Sequence, residues 1–143
     1  MFEKIMVPVD LQHVDKLERS LEIAATLAKK WHATLHFVTV AGRVPNRAAK
    51  TPEEHARNLA KFAEEQGEKH GVPTASLTKD STDVTVELEK KLLEAADDIG
   101  ADLIVTASHV PGVADKLHLI PSHSGELASK AKCSVFVLRG DVM

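Results

Sequence analysis

The sequence predicts a doubly wound α/β domain on a five-stranded parallel sheet, with helices on both faces. Two observations carry that expectation. Five short β-type runs alternate with four stretches of helical periodicity, the pattern of βαβ units with right-handed crossovers. The first run, Ile5-Met6-Val7-Pro8-Val9, is continuously apolar instead of alternating, as a strand covered on both faces must be.

The elements follow in order. After the first run, Leu17, Leu21, Ala24, Ala28 and Trp31 are spaced 4-3-4-3, which places them on one helical stripe. The second strand is expected over 34–40. The second helix has the best start signal in the chain, with Thr51 as cap, Pro52 at the first helical position and Glu54 completing a capping box. Ala56, Leu59 and Ala63 supply its inward face, and Gly71 with Pro73 ends it. The third strand, 75–78, is the weakest of the five. The third helix carries Val84, Leu88, Leu92, Ala95 and Ile99 inward and stops at Gly100. Leu103-Ile104-Val105-Thr106-Ala107 is the fourth strand. A short helix near 122–131 turns Leu127 and Ala131 inward, and Val135-Phe136-Val137-Leu138 is the fifth strand.

At 143 residues, the chain is expected to form one domain spanning 1–143, long enough to bury roughly 68–70% of its unfolded surface. A formal charge of −3 gives no concentrated basic face for nucleic acid or membranes, and four Phe, one Trp and no Tyr leave few platforms for stacking bases. Cys133 is the only cysteine, so no internal disulfide can form, which fits a reducing compartment. The opening residues run directly into a strand without a basic segment and apolar core, and no apolar run reaches the ~18 residues of a membrane span. A cytoplasmic globular protein is expected.

Several standard site motifs are missing. The turn Asp10-Leu11-Gln12-His13-Val14 has no glycine, so the backbone approach that a dinucleotide pyrophosphate requires is not available there. There is no Gly-Lys-Ser/Thr phosphate loop and no Gly-x-Ser-x-Gly nucleophile turn. The long irregular stretches 41–50 and 109–119 each follow a strand and therefore lie at the carboxyl edge, where open α/β sheets bind ligands.

Three constellations lie at that edge. Asp10 follows strand one and His109 follows strand four, so the two can face each other across the crevice as an acid–imidazole pair or as a carboxylate and a donor holding a polar ligand, or Asp10 can simply cap its turn or the following helix. Capping is favoured over catalysis. Ser122-His123-Ser124 opens the last helix, where free N–H groups and two hydroxyls make an anion site, or one serine is an N-cap. His109, His118 and His123 surround one loop but match no closed zinc spacing, so no metal site is expected. His32, His36, His55 and His70 are read as structural or solvated, and Cys133 as a small core residue at the opposite end of the sheet.

Taken together, Val7-Pro8-Val9-Asp10, the 35–40 strand, Ala101-Asp102-Leu103-Ile104-Val105, Ala107-Ser108-His109 and Ala131-Lys132-Cys133-Ser134-Val135-Phe136-Val137 resemble a universal stress protein domain over almost the whole chain. The resemblance implies an adenine nucleotide alpha hydrolase-like sheet in the order 3-2-1-4-5. It also implies an adenine nucleotide, ATP or AMP, with any Mg arriving on the nucleotide. Pro8, Val9, Asp10 and Val40 would hold adenine and ribose. Thr106, Ala107, His109, Val110, Gly112, Ser122, His123 and Ser124 would surround the phosphates.

The phosphate half departs from the family's Gly-x2-Gly-x9-Gly-Ser/Thr pattern. Its glycine positions hold Ala107, Val110 and Pro121, with ten residues between the last two, while Ser122 is kept. A β-branched Val resists positive φ, and Pro121 removes an N–H from the turn that should donate one. His109-x2-Gly112 in a shifted register, or His109 donating directly, is a partial rescue. AMP or adenosine is therefore expected over tightly held ATP, with at most very slow hydrolysis. The competing reading is a scaffold that keeps the fold, has lost nucleotide, and dimerises through Val135, Phe136, Val137 and Leu138. A small enzyme using Asp10, His109 and Ser122 is the least favoured.

Overall fold

The computed structural model describes residues 1–42, 50–107 and 123–139. The strands are β1 (Lys4–Pro8), β2 (Thr34–Ala41), β3 (Thr74–Asp80), β4 (Leu103–Ala107) and β5 (Ser134–Leu138). The helices are α1 (Glu18–Trp31), α2 (Pro52–His70), α3 (Val84–Ile99) and α4 (His123–Lys130), and a 3-10 segment, Leu11–Leu17, precedes α1. All strand pairs are parallel, in the order β3-β2-β1-β4-β5.

The continuous apolar run of β1 is explained by what lies on each side of it. Ile5, Val7 and Val9 join Leu21, Ala24, Ala28, Leu35, Phe37, Leu59 and Ala63 in a core beneath α1 and α2. Met6 points the other way and packs with Val38, Leu92, Ala95, Ile104 and Leu127 beneath α3 and α4. The period-2 alternation of a strand survives, but both of its faces are buried.

Local signals account for most helix ends. Thr51 Oγ1 accepts from the Glu54 amide at 3.1 Å, and Pro52 stands at the start of α2. Gly71 closes α2 in the left-handed conformation at φ 68°, which an L side chain would resist. His32 ends α1 at φ 56°, a conformation that histidine tolerates better than most side chains.

Three expectations are corrected, and one element is added. β3 is longer than 75–78, pairing residue by residue with β2 from Leu35↔Thr74 to Ala41↔Asp80. As an edge strand carrying Thr, Ser and Lys, it shows too little apolar contrast for its full length to be read. In α2 the inward stripe is His55, Leu59 and Ala63, while Ala56 is exposed. Leu59 and Ala63 face inward as expected, and the position one turn before Leu59 on that stripe is His55, four residues earlier, while Phe62 fills the space beside Phe37. Before α1 the chain makes a 3-10 segment kinked at His13 (φ −134°, ψ 44°), which the glycine-free turn did not announce. β1 ends at Pro8, one residue short of expectation: Pro8 has no N–H to offer on the β4 side, while the Val9 amide still bonds to β2.

At the amino edge, the Asp102 carboxylate accepts from the Glu3 amide at 2.8 Å and the Lys4 amide at 3.1 Å. The Asp102 amide donates to the Lys4 carbonyl at 3.0 Å. This reciprocal clamp fixes the start of β1 against β4 and thereby sets the level at which both strands end.

Candidate functional site

The strand order reverses between β1 and β4, so the crevice expected of an open α/β sheet opens beyond their carboxyl ends. β1 and β4 are aligned by Ile5↔Leu103 and Met6↔Ile104. Pro8, Val9 and Asp10 therefore stand on one side of the crevice and Thr106 and Ala107 on the other. The Val9 amide donates to the Val38 carbonyl at 2.8 Å, the last tie between β1 and β2. Val9 is buried and Asp10 is exposed.

The Asp10 carboxylate is held by its own turn. Oδ1 accepts from the Gln12 amide at 2.9 Å, and Oδ2 lies 2.9 Å from His13 Nδ1. The capping reading of Asp10 therefore holds. The imidazole beside it among the described residues is His13, three residues on; His109 lies outside them. Two carboxylate oxygens offer about four lone-pair sites. With the Asp10 side chain 57% exposed, acceptor capacity remains on the solvent side, in an orientation already set by the turn.

β2 contributes Val40, half-buried and packed toward α3. Just beyond it, the Ala41 carbonyl accepts from the Ser81 amide at 2.9 Å. Gly42 lies so close to α3 that an added Cβ would stand 3.0 Å from Val84 Cγ2. Ser81 is buried, and its hydroxyl donates to Glu87 Oε1 at 2.6 Å while accepting from the Asp83 amide at 3.1 Å. The same Glu87 oxygen accepts from the Thr82 amide at 3.2 Å and lies 3.3 Å from Thr82 Oγ1. The Ser81 hydrogen bond, followed by those from the backbone and Thr82, holds the Glu87 carboxyl down to about 2, so it is a carboxylate across the physiological range.

The structure thus brings Pro8, Val9, Asp10, Val40, Thr106 and Ala107 to one edge of the sheet. His123 and Ser124 are the first two residues of α4. His109, Val110, Gly112, His118, Pro121 and Ser122 lie outside the described residues, as do most of the 41–50 and all of the 109–119 stretches. Among the described residues, no three His, Cys, Asp or Glu side chains converge as metal ligands. No helix among them is long and apolar enough to cross a membrane. Cys133 is half-buried against the α3–α4 core, and burial pushes its thiol above the ordinary value, which suits a packed side chain and not a nucleophile.

Three residues at this edge escaped the sequence reading: His13, Ser81 and Glu87. The Asp10-x2-His13 spacing was a usable signal, because i,i+3 partners meet on a helical turn. Ser81 and Glu87 flank an ordinary N-cap, Asp83, whose side chain accepts from the Val86 amide at 3.4 Å. That cap by itself explains the start of the helix and draws attention away from both.

A family model described as the universal stress protein family matches residues 1–139. The chain belongs to the universal stress protein family. Its fold is also that of solved universal stress proteins. One of these, in complex with cAMP, superposes with a TM-score of 0.71 at 18% identity, covering 98% of each chain. The universal stress protein from Archaeoglobus fulgidus in complex with dAMP gives 0.65 at 20% identity, over 94% of this chain and 96% of that one. An Arabidopsis thaliana family protein with AMP bound gives 0.69 at 12% identity, over 98% and 93%. The five-stranded parallel sheet with its 3-2-1-4-5 order is common ground between this universal stress protein and the expectation drawn from its sequence.

Proposed function

We propose that this universal stress protein is a stress-response module that binds an adenine nucleotide at the carboxyl edge of its sheet, without robust catalysis. The observation that carries the reading is the grouping of Pro8, Val9, Asp10 and Val40 at the ends of adjacent strands, with Asp10 already oriented by Gln12 and His13. A pre-oriented acceptor loses less freedom on binding, so its hydrogen bond to a ribose hydroxyl is worth more. The ligands named for the three relatives, cAMP, dAMP and AMP, each pair an adenine nucleoside with a single phosphate group. That fits a site whose adenosine residues are kept and whose phosphate glycines are replaced by Ala107, Val110 and Pro121. AMP is the preferred ligand, ATP the weaker one, and any Mg enters with the phosphates. The cytoplasm is the proposed location.

Thermal melting with ATP, ADP, AMP and cyclic AMP tests the reading. Ligand at 100 times its dissociation constant stabilises by roughly 2.7 kcal/mol, which raises the melting temperature by about 5–10 °C in a domain of this size. AMP is expected to give the largest rise. Unchanged curves with all four at millimolar concentration overturn the proposal.

A second reading has its own observation. β5 is an edge strand, and Phe136 on it is 39% exposed, with Val135, Val137 and Leu138 half-buried beside it. An apolar edge with unpaired backbone groups is suited to pairing with a second copy. On this reading the protein is a dimeric scaffold whose fold, and not a nucleotide, does the work. Sedimentation is expected to show a dimer that Phe136→Glu converts to monomer. A monomer at high concentration of the unaltered protein ends this reading.

A further inference from the structure

We propose that Glu87 is a positioning residue for the adenosine half of the crevice: by holding Ser81 and Thr82 against the first turn of α3, it sets where Val40, Ala41 and Gly42 stand. The consequence for ligand affinity rests on the nucleotide reading above; the consequence for the strand end does not.

The end of β2 needs such support. β1 stops at Pro8, paired with Val38, so among the described residues the strand beyond Val38 has a β partner only on its β3 side. Val40 and Ala41 pair there with Lys79 and Asp80, at the very end of an edge strand. The next residue, Ser81, turns the chain toward α3 while its amide donates to Ala41, and Gly42 backs directly onto Val84. The position of β2's last three residues is thus tied to that of the segment from Ser81 to Val84.

Glu87 in turn fixes that segment, and capping alone does not require it. A helix start needs an acceptor for its free amides, and the Asp83 side chain supplies one. Glu87 Oε1 instead gathers three groups from outside the helix: the Ser81 hydroxyl and the amide and hydroxyl of Thr82. Ser81 is only 4% exposed, so its hydroxyl proton has no easy recourse to water if the carboxylate is removed. A buried donor without an acceptor is costly enough to make the turn rearrange. The Ser81–Ala41 hydrogen bond would rearrange with it.

The test compares Glu87→Ala, Glu87→Gln and Ser81→Ala with the unaltered chain. In ligand-free protein, Glu87→Ala is expected to lower amide-exchange protection at Ser81 about tenfold, the equivalent of one lost hydrogen bond to a charged group. It should also move the amide resonances of Val40, Ala41 and Gly42, while Ile104 and Val105 keep theirs. Glu87→Gln retains an oxygen that can accept from Ser81 and should restore most of both signals. With AMP as the probe, Glu87→Ala is expected to weaken binding about three- to thirtyfold, the scale of a coupled residue without ligand contact. Ser81→Ala, which removes the hydroxyl that ties Glu87 Oε1 to the Asp83 amide and leaves that amide without its acceptor, should reproduce the resonance shifts if Glu87→Ala does not fold.

Unchanged Ser81 protection and unchanged Val40, Ala41 and Gly42 resonances in Glu87→Ala overturn the proposal. So does undiminished AMP affinity in that variant when the unaltered chain binds AMP. If the unaltered chain binds no adenine nucleotide, the nucleotide reading fails by itself. The exchange and resonance measurements then still decide whether Glu87 positions the strand end.

Discussion

Phe37→Ala is expected to destabilise the protein by about 3–5 kcal/mol, with a fall in denaturant midpoint and no change in slope. Phe37 sits in the centre of β2, fully buried, flanked in register by Val7 on β1 and Ser76 on β3. Its ring meets that of Phe62 edge-on, with centroids 5.3 Å apart and planes at 80°. It shares its core with Leu59 and Ala63 of α2. Truncation would open a cavity under α2 that rigid neighbours on both adjacent strands cannot close. Against a total of about 5–15 kcal/mol for a domain, that is a large fraction. Phe136→Ala provides the comparison. The same atoms are removed, but from an edge strand and a partly exposed ring, so about 1 kcal/mol or less should be lost. Equal losses at the two sites would mean that the centre of the sheet does not bear the stability assigned to it.

The sequence was most legible where one physical demand determined the residue. β1 had to be apolar on both faces because helices cover both, and Ile5, Met6 and Val7 announce it. Thr51, Pro52 and Gly71 each meet a requirement of a helix end that few other residues satisfy. Legibility fell where two demands competed. Ala56 fits an apolar stripe by composition, yet the position one turn before Leu59 is His55, four residues earlier, and it goes inward. β3 answers to backbone pairing with β2 more than to burial, so its side chains carry little pattern. At the crevice, Pro8, Asp10 and Val40 were recognisable because their types and order recur in a family. Ser81 and Glu87 were not, because they meet six residues apart across a turn. Nothing in local periodicity distinguishes a serine and a glutamate that bond there from solvated ones.

Asp10→Ala is expected to weaken AMP binding about ten- to hundredfold, the range for losing a hydrogen bond to a charged group. The variant also removes the acceptor that the Gln12 amide and His13 Nδ1 now use, so it should cost about 0.5–2 kcal/mol of stability as a lost cap. The two effects must be separated, since a melted turn would impair binding for an uninteresting reason. Asp10→Asn does so. Asparagine caps as well as aspartate, so melting should stay close to that of the unaltered chain. Its amide has one acceptor oxygen in place of two, and that oxygen is needed by Gln12. The nitrogen then presents a donor where His13 or a ribose hydroxyl would meet an acceptor. Affinity is therefore expected to fall in Asn nearly as far as in Ala, while stability falls in Ala alone. If Asp10→Ala binds AMP as tightly as the unaltered chain, Asp10 is a turn cap and nothing more. The adenosine end of the crevice must then be sought elsewhere along the carboxyl edge.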